Sequence, residues 1–149
     1  VVSNCLKRDA REFTRERLPL KTCSILLNSL AERYPDKRFI FTVSPIRHLK
    51  DGAHGNQLSK STLLLAEETV VQSHPGQCEY FPAYEIMMDE LRDYRFYAED
   101  MIHPSAQAVN YIWERFCDFA LPEDEKPLLE KNRKTFLQSQ HRKNAGSSR

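Results

Sequence analysis

The chain reads as an α/β domain built on a parallel sheet, and three observations carry that reading. Stretches with strand character alternate with amphipathic stretches in the order strand, helix, strand, helix, strand, helix. Phe39-Ile40-Phe41-Thr42-Val43 is an unbroken β-branched and aromatic run, the pattern of a strand covered on both faces. After Ser105, the residues Val109, Ile112, Trp113, Phe116, Cys117 and Ala120 recur at i, i+3, i+4, i+7, i+8 and i+11, which is one apolar helical face.

Taken in order, Val1-Val2-Ser3-Asn4 has the composition of a strand's C-terminal end, as though the chain were cut within a sheet. Lys7 to Arg17 is a charged surface connection anchored by Phe13. Pro19 opens a helix with Cys23, Leu26, Leu27, Leu30, Ala31 and Tyr34 on one stripe, and Pro35-Asp36 stops it. The strand Phe39–Val43 ends at Ser44-Pro45. Ile46 to Gln57 then reads as a polar loop, and Ser59 as the N-cap of a helix that turns Leu63, Ala66 and Val70 inward. His74-Pro75-Gly76 breaks the chain, and Cys78 to Phe81 is a short strand limited by Pro82. Tyr84 to Tyr97 has no clear period. The helix from Ser105 follows, then a last helix from about Pro127 with a thin stripe of Leu129, Phe136 and Leu137, and a tail from Asn144 expected to be disordered. Three strands are few for a parallel sheet, so a portion preceding Val1 is expected to supply the others.

Composition excludes several classes. With 22 basic and 21 acidic residues the net charge is +1, so no overall field draws the chain to nucleic acid or anionic lipid. The basic residues of the last helix (Lys131, Arg133, Lys134, His141, Arg142, Lys143) suit the negative end of its dipole. No apolar run approaches the roughly 18 residues that a membrane helix needs. Cys5, Cys23, Cys78 and Cys117 form no C-x-x-C pair, which argues against a zinc or redox motif and favours a reducing compartment such as the cytoplasm. His48, His54, His74 and His103, with Asp51 or Asp100, lack tight metal-ligand spacing, so neither metal nor other cofactor is expected.

Chemistry concentrates in Ala98-Glu99-Asp100-Met101-Ile102-His103-Pro104-Ser105. An acid three residues before a histidine can hold one ring N–H and fix the tautomer that a general base needs. Pro104 suits a first helical turn, which would put His103 at the helix's positive end. The same residues also suit structural jobs, a capping aspartate and a helix-start histidine. Arg47 and His48 follow a strand end, where ligand sites of open α/β sheets gather; they either bind substrate there or brace their loop. Ser44 and Ser61 lack the glycine-flanked elbow that exposes a nucleophile. Asp89 to Arg95 mixes signs as internal ion pairs or a solvated face do, and Tyr80, Phe81, Tyr84, Tyr94, Phe96 and Tyr97 read as core and cleft wall.

Several segments together, "FTVSPIRHLKDG", "NQLSKSTLL" and "YFPAYEIMMDELRDYRFYAEDMIHPSAQAVNYIWERF", resemble the C-terminal part of the GSCFA-domain proteins, a bacterial family related to the SGNH/GDSL esterase-lipase superfamily. The resemblance implies a flavodoxin-like three-layer α/β/α fold. Residues 1–121 would be the C-terminal portion of that domain, and 122–149 a helical extension. It implies a serine esterase acting on an acyl ester, small or carbohydrate-linked. Asp100 and His103 would be the late D-x-x-H acid and base, and Asn4 resembles the strand-end oxyanion donor. The Gly-Ser-Cys-Phe-Ala motif with the nucleophile does not occur in these 149 residues, so the missing N-terminal part of the domain is the expected partner and this stretch alone should be inactive. A non-catalytic binding or structural domain on the same scaffold is the alternative.

Overall fold

The computed structural model describes residues 8–14 and 16–146, and they fall into two compact units. The first holds the described residues up to Val43 together with Arg47–Tyr80; the second holds Ser44–Ile46 and the described residues from Phe81 onward.

In the first unit, α1 (Leu20–Arg33) leads to β1 (Phe39–Phe41), a 3₁₀ turn (Leu49–Asp51), α2 (Gly52–Ser73) and β2 (Cys78–Tyr80). The strands pair in parallel, Phe39 opposite Cys78, Ile40 opposite Glu79 and Phe41 opposite Tyr80. This is the β-helix-β unit that the alternation predicts. Parallel neighbours need a long crossover, and α2 supplies it. Among the described residues the sheet has two strands, so the chain is mixed helix and strand with a small parallel sheet. The strand expected at Val1–Asn4 lies outside the described residues.

The unit's core is Ala31 of α1, Val70 of α2 and Cys78 of β2, with Leu27, Phe39, Phe41 and Val71 packed against it. Ala31 is small enough for the two helices to approach over it. Gln77 then seals the end of α1: its side-chain amide donates to the Ala31 and Tyr34 carbonyls at 2.9 and 3.0 Å, groups that a helix end leaves unsatisfied. Gly76, at φ +82°, makes the turn before it.

Several expectations need correction here. Phe39, Ile40 and Phe41 are each half-buried, not enclosed on both faces, and Leu26, Leu30, Tyr34 and Leu63 are exposed. An apolar run records affinity for burial, not the amount of protein available to cover it. Helix α2 begins at Gly52, so Ser59 lies inside it and the supposed loop to Gln57 is largely helical. The residues that look like loop formers seat the preceding turn. Gly55 is buried, and a Cβ there would lie 2.9 Å from Asp51 Cβ. Asn56 Oδ1 accepts the His48 N–H at 2.9 Å. Tertiary contact overrides weak helix propensity at these positions.

In the second unit, α3 (Ala83–Glu85) runs directly into a π-helical turn (Ile86–Leu91), followed by a 3₁₀ turn (Tyr94–Phe96), α4 (Ala106–Ala120) and α5 (Lys126–Gly146). The widened turn closes when Arg92 N–H donates to the Met87 carbonyl at 3.2 Å, and Arg92 ends it at φ +38°. The core comprises Phe81, Ala83, Tyr84, Ile86, Met87, Leu91, Ala108 and Cys117. Phe81 meets Phe116 edge-on, with ring centroids 5.1 Å apart. Two expectations fail: Val109 and Trp113 stay exposed on α4, and Tyr94 stands in solvent instead of forming core. The last helix starts at Lys126 and continues through Gly146, into the stretch expected to be disordered. Among the described residues no helix is long and apolar enough to cross a membrane.

Candidate functional site

The segment between α3 and α4 is a closed loop, and its closure follows from its sequence. Tyr97 and Pro104 face each other as an antiparallel bridge. The bonds flanking it run from Ala98 N–H to the His103 carbonyl at 2.8 Å and from Ser105 N–H to the Phe96 carbonyl at 2.7 Å. The Tyr97–Pro104 pair is therefore a non-hydrogen-bonded one, where proline's missing N–H costs nothing. This corrects the expected placement of Pro104 in the first helical turn. Ser105 is the N-cap, its Oγ accepting the Ala108 N–H at 3.3 Å, and His103 sits in the loop instead of on the helix end.

Within the loop, Met101 N–H donates to the Ala98 carbonyl at 2.9 Å, and Met101 adopts φ +58°. A left-handed conformation at a non-glycine residue costs of the order of 1–2 kcal/mol and persists only where its surroundings enforce it. Asp100 does the enforcing. Its Oδ1 accepts the backbone N–H groups of Ile102 and His103 at 2.9 and 3.0 Å, and its Oδ2 meets His103 Nδ1 at 2.6 Å. One carboxylate thus folds the turn and holds the ring. The His103 backbone N–H, then its ring, then the Ile102 N–H pull the Asp100 pKa down to about 2. An ionised carboxylate accepts only, so in the neutral imidazole Nδ1 carries the proton and Nε2 carries the lone pair. Nε2 has no hydrogen-bond partner among the described residues, and the His103 side chain is 56% exposed. This arrangement can take a proton from a group brought to it.

A second cluster joins Glu90 of the mixed-sign run to two α4 residues that the sequence did not mark, and braces the elements on either side of the loop. Glu90, in the π-helical turn, accepts the Tyr111 hydroxyl at 2.7 Å and the Arg115 guanidinium at 3.2 and 3.3 Å. The hydroxyl first, with Arg115 adding to it, holds the Glu90 carboxyl below the usual range. The available signal was the i, i+4 pair Tyr111 and Arg115 on α4 following an acid-rich segment. Asp89 with Arg92 and Asp93 with Arg95 form ion pairs at 3.0 Å each on exposed side chains, so the mixed-sign run is both paired and solvated.

The family can now be assigned. The model described as the GSCFA family matches residues 1–116. The chain belongs to the GSCFA family. Comparison with the curated proteins and with the solved structures gives no match. In this GSCFA chain the D-x-x-H segment lies inside the matched span, whereas α5 lies beyond it.

The remaining candidates stand elsewhere. Arg47 and His48 belong to the first unit, Arg47 half-buried and His48 exposed. Asn4 lies outside the described residues. Ser44 Oγ accepts the Ile46 N–H at 3.3 Å, a turn-bracing role, and Ser61 is half-buried in α2. His74 Nε2 lies 3.0 Å from Asn28 Oδ1, while Asn28 Nδ2 donates to the Ser24 carbonyl at 2.8 Å. Among the described residues no three His, Cys, Asp or Glu side chains come together as a metal-ion cluster. The reading of α2 also missed Lys60 and Glu67, both buried, with burial pushing the Lys60 ammonium pKa down.

Proposed function

We propose that this GSCFA chain carries the acid–base half of a serine ester hydrolase of the SGNH/GDSL type, acting on an acyl ester that is small or carbohydrate-linked. The single observation behind the reading is the 2.6 Å contact between Asp100 Oδ2 and His103 Nδ1, which leaves Nε2 as the accessible basic nitrogen. In the reaction, Nε2 removes the proton from a serine Oγ as that oxygen attacks the acyl carbon. The tetrahedral intermediate expels the alcohol, which receives the proton from the imidazolium. Water, deprotonated by the same nitrogen, then releases the acid and restores the serine. Asp100 holds the ring and offsets the charge of the imidazolium. The serine is supplied by a Gly-Ser-Cys-Phe-Ala segment outside these 149 residues. Asn4 is the proposed oxyanion donor, and Arg47 and His48 are proposed substrate contacts.

One observation favours a second reading, a binding or structural domain on the same scaffold. Two of the three bonds that Asp100 accepts come from backbone N–H groups, so the motif also explains itself as a turn. Labelling by a fluorophosphonate probe separates the two. Protein carrying the Gly-Ser-Cys-Phe-Ala segment should be labelled, and His103→Ala should slow labelling by roughly 10²–10⁴, the contribution of a general base. Absence of labelling in both, or equal labelling, favours the non-catalytic reading.

A further inference from the structure

We infer that Glu90 is a positioning residue for the His103 ring, acting at a distance through the two stems of the loop. The inference takes the Asp100–His103 pair as the base of the proposed reaction, but it is tested without activity. The loop leaves one wall of the unit and returns to another. Its first stem, at Phe96, follows the π-helical turn through the short 3₁₀ turn; its second stem, at Ser105, caps α4. The stems are joined directly by the Ser105 N–H bond to the Phe96 carbonyl at 2.7 Å and by the Ala98 N–H bond to the His103 carbonyl at 2.8 Å. How far apart they stand is set by how the π-helical turn sits against α4.

Glu90 holds that spacing with a fork. Oε2 takes the Tyr111 hydroxyl at 2.7 Å, and both carboxylate oxygens face the Arg115 guanidinium at 3.2–3.3 Å. Arg115 in turn lies over the Tyr111 ring, 5.6 Å from its centroid. Tyr111 and Arg115 are one helical turn apart, so the fork fixes rotation of α4 as well as its approach. An α-helical continuation of α3 would carry each residue about 100° around the axis; the π-turn winds less per residue and so re-aims the side chains near its end, Glu90 among them. A hydrogen bond as short as 2.6 Å between Asp100 and His103 tolerates little change in the spread of the stems, because the His103 carbonyl accepts one of the closing bonds while its backbone N–H and ring both meet Asp100.

The test uses the full chain labelled with ¹³C and ¹⁵N at histidine, reading the His103 tautomer from ring shifts and the exchange rates of the Ala98 and Ser105 amides. In the unmodified protein His103 should be the Nδ1–H tautomer. Glu90→Ala should shift it toward the tautomer mixture of a free imidazole and speed exchange at Ala98 and Ser105 by roughly five- to tenfold, the population change that losing one modest hydrogen bond produces. Glu90→Gln, which still accepts the Tyr111 hydroxyl, should restore most of both. If Glu90→Ala fails to fold, Tyr111→Phe keeps the ring and removes the hydroxyl, and should move both readouts in the same direction. A folded Glu90→Ala or Tyr111→Phe protein with an unchanged tautomer and unchanged exchange overturns the inference. Those outcomes are independent of fluorophosphonate labelling, so failure of the esterase reading and failure of the positioning role are seen separately.

Discussion

Asp100→Asn is the substitution that most sharply separates turn formation from proton transfer. The amide retains one oxygen, which can take the place of Oδ1 and accept the Ile102 and His103 N–H groups at 2.9 and 3.0 Å. The turn, and with it the left-handed Met101, should therefore survive. What changes is the atom facing the ring at 2.6 Å: an acceptor oxygen becomes an NH₂ donor. The imidazole must answer with a bare Nδ1, which places its proton on Nε2 and removes the basic lone pair from the exposed side. In a serine protease the same exchange costs about 10⁴ in kcat. Here the His103 side chain is 56% exposed and the Asp100 side chain 45% exposed, so water can compete for Nδ1 and keep part of the productive tautomer. We therefore expect a loss of about 10²–10³ in ester hydrolysis or probe labelling, within the range of general-base contributions. The assay compares initial rates at neutral pH for protein carrying the Gly-Ser-Cys-Phe-Ala segment, with circular dichroism to confirm folding. A folded Asp100→Asn protein at the unmodified rate would refute the tautomer argument.

Two further outcomes follow from the structure. Because the Asp100 pKa is drawn below its usual 3.8 to about 2, its contribution to the loop is complete above about pH 4 and is lost as pH falls through about 2. Amide protection at Ile102 and His103, followed by hydrogen exchange, should weaken progressively below about pH 4 and be lost as pH falls through about 2; a midpoint at pH 4 or above would contradict the bonding described. Gly55→Ala should lower the melting temperature although alanine is the better helix former, because its Cβ would fall 2.9 Å from Asp51 Cβ. The overpacking cost of about 1–3 kcal/mol exceeds the propensity gain of up to about 1 kcal/mol, and a raised melting temperature would show that the Leu49–Asp51 turn yields freely.

The legible parts of this molecule are the ones whose causes lie close together in the chain. Asp100 and His103 are three residues apart, and every bond that Asp100 accepts comes from residues 102 and 103, so the pair could be read before any fold was known. The amphipathic helices were legible for the same reason: Ala31, Val70 and Cys117 are buried at the positions their periods assign. The start of α2 was not, because Gly52, Gly55 and Asn56 have weak local preference for helix and are recruited by contact with the turn before them. Leu26, Val109 and Trp113 show the other limit, since a period identifies the apolar side of a helix but not whether anything covers it.

By itself the sequence determined the bodies of α1, α2 and α4, the parallel strand pair and the acid–histidine turn, since hydrophobic period and short-range hydrogen bonding act over a few residues. Only the tertiary structure decided that Pro104 belongs to a bridge and not to a helix, that Lys60 and Glu67 are enclosed, and that Glu90 reaches across to Tyr111 and Arg115. Those outcomes depend on which elements meet, and a pairing across 21 or 25 residues leaves no mark in the local pattern that either partner carries.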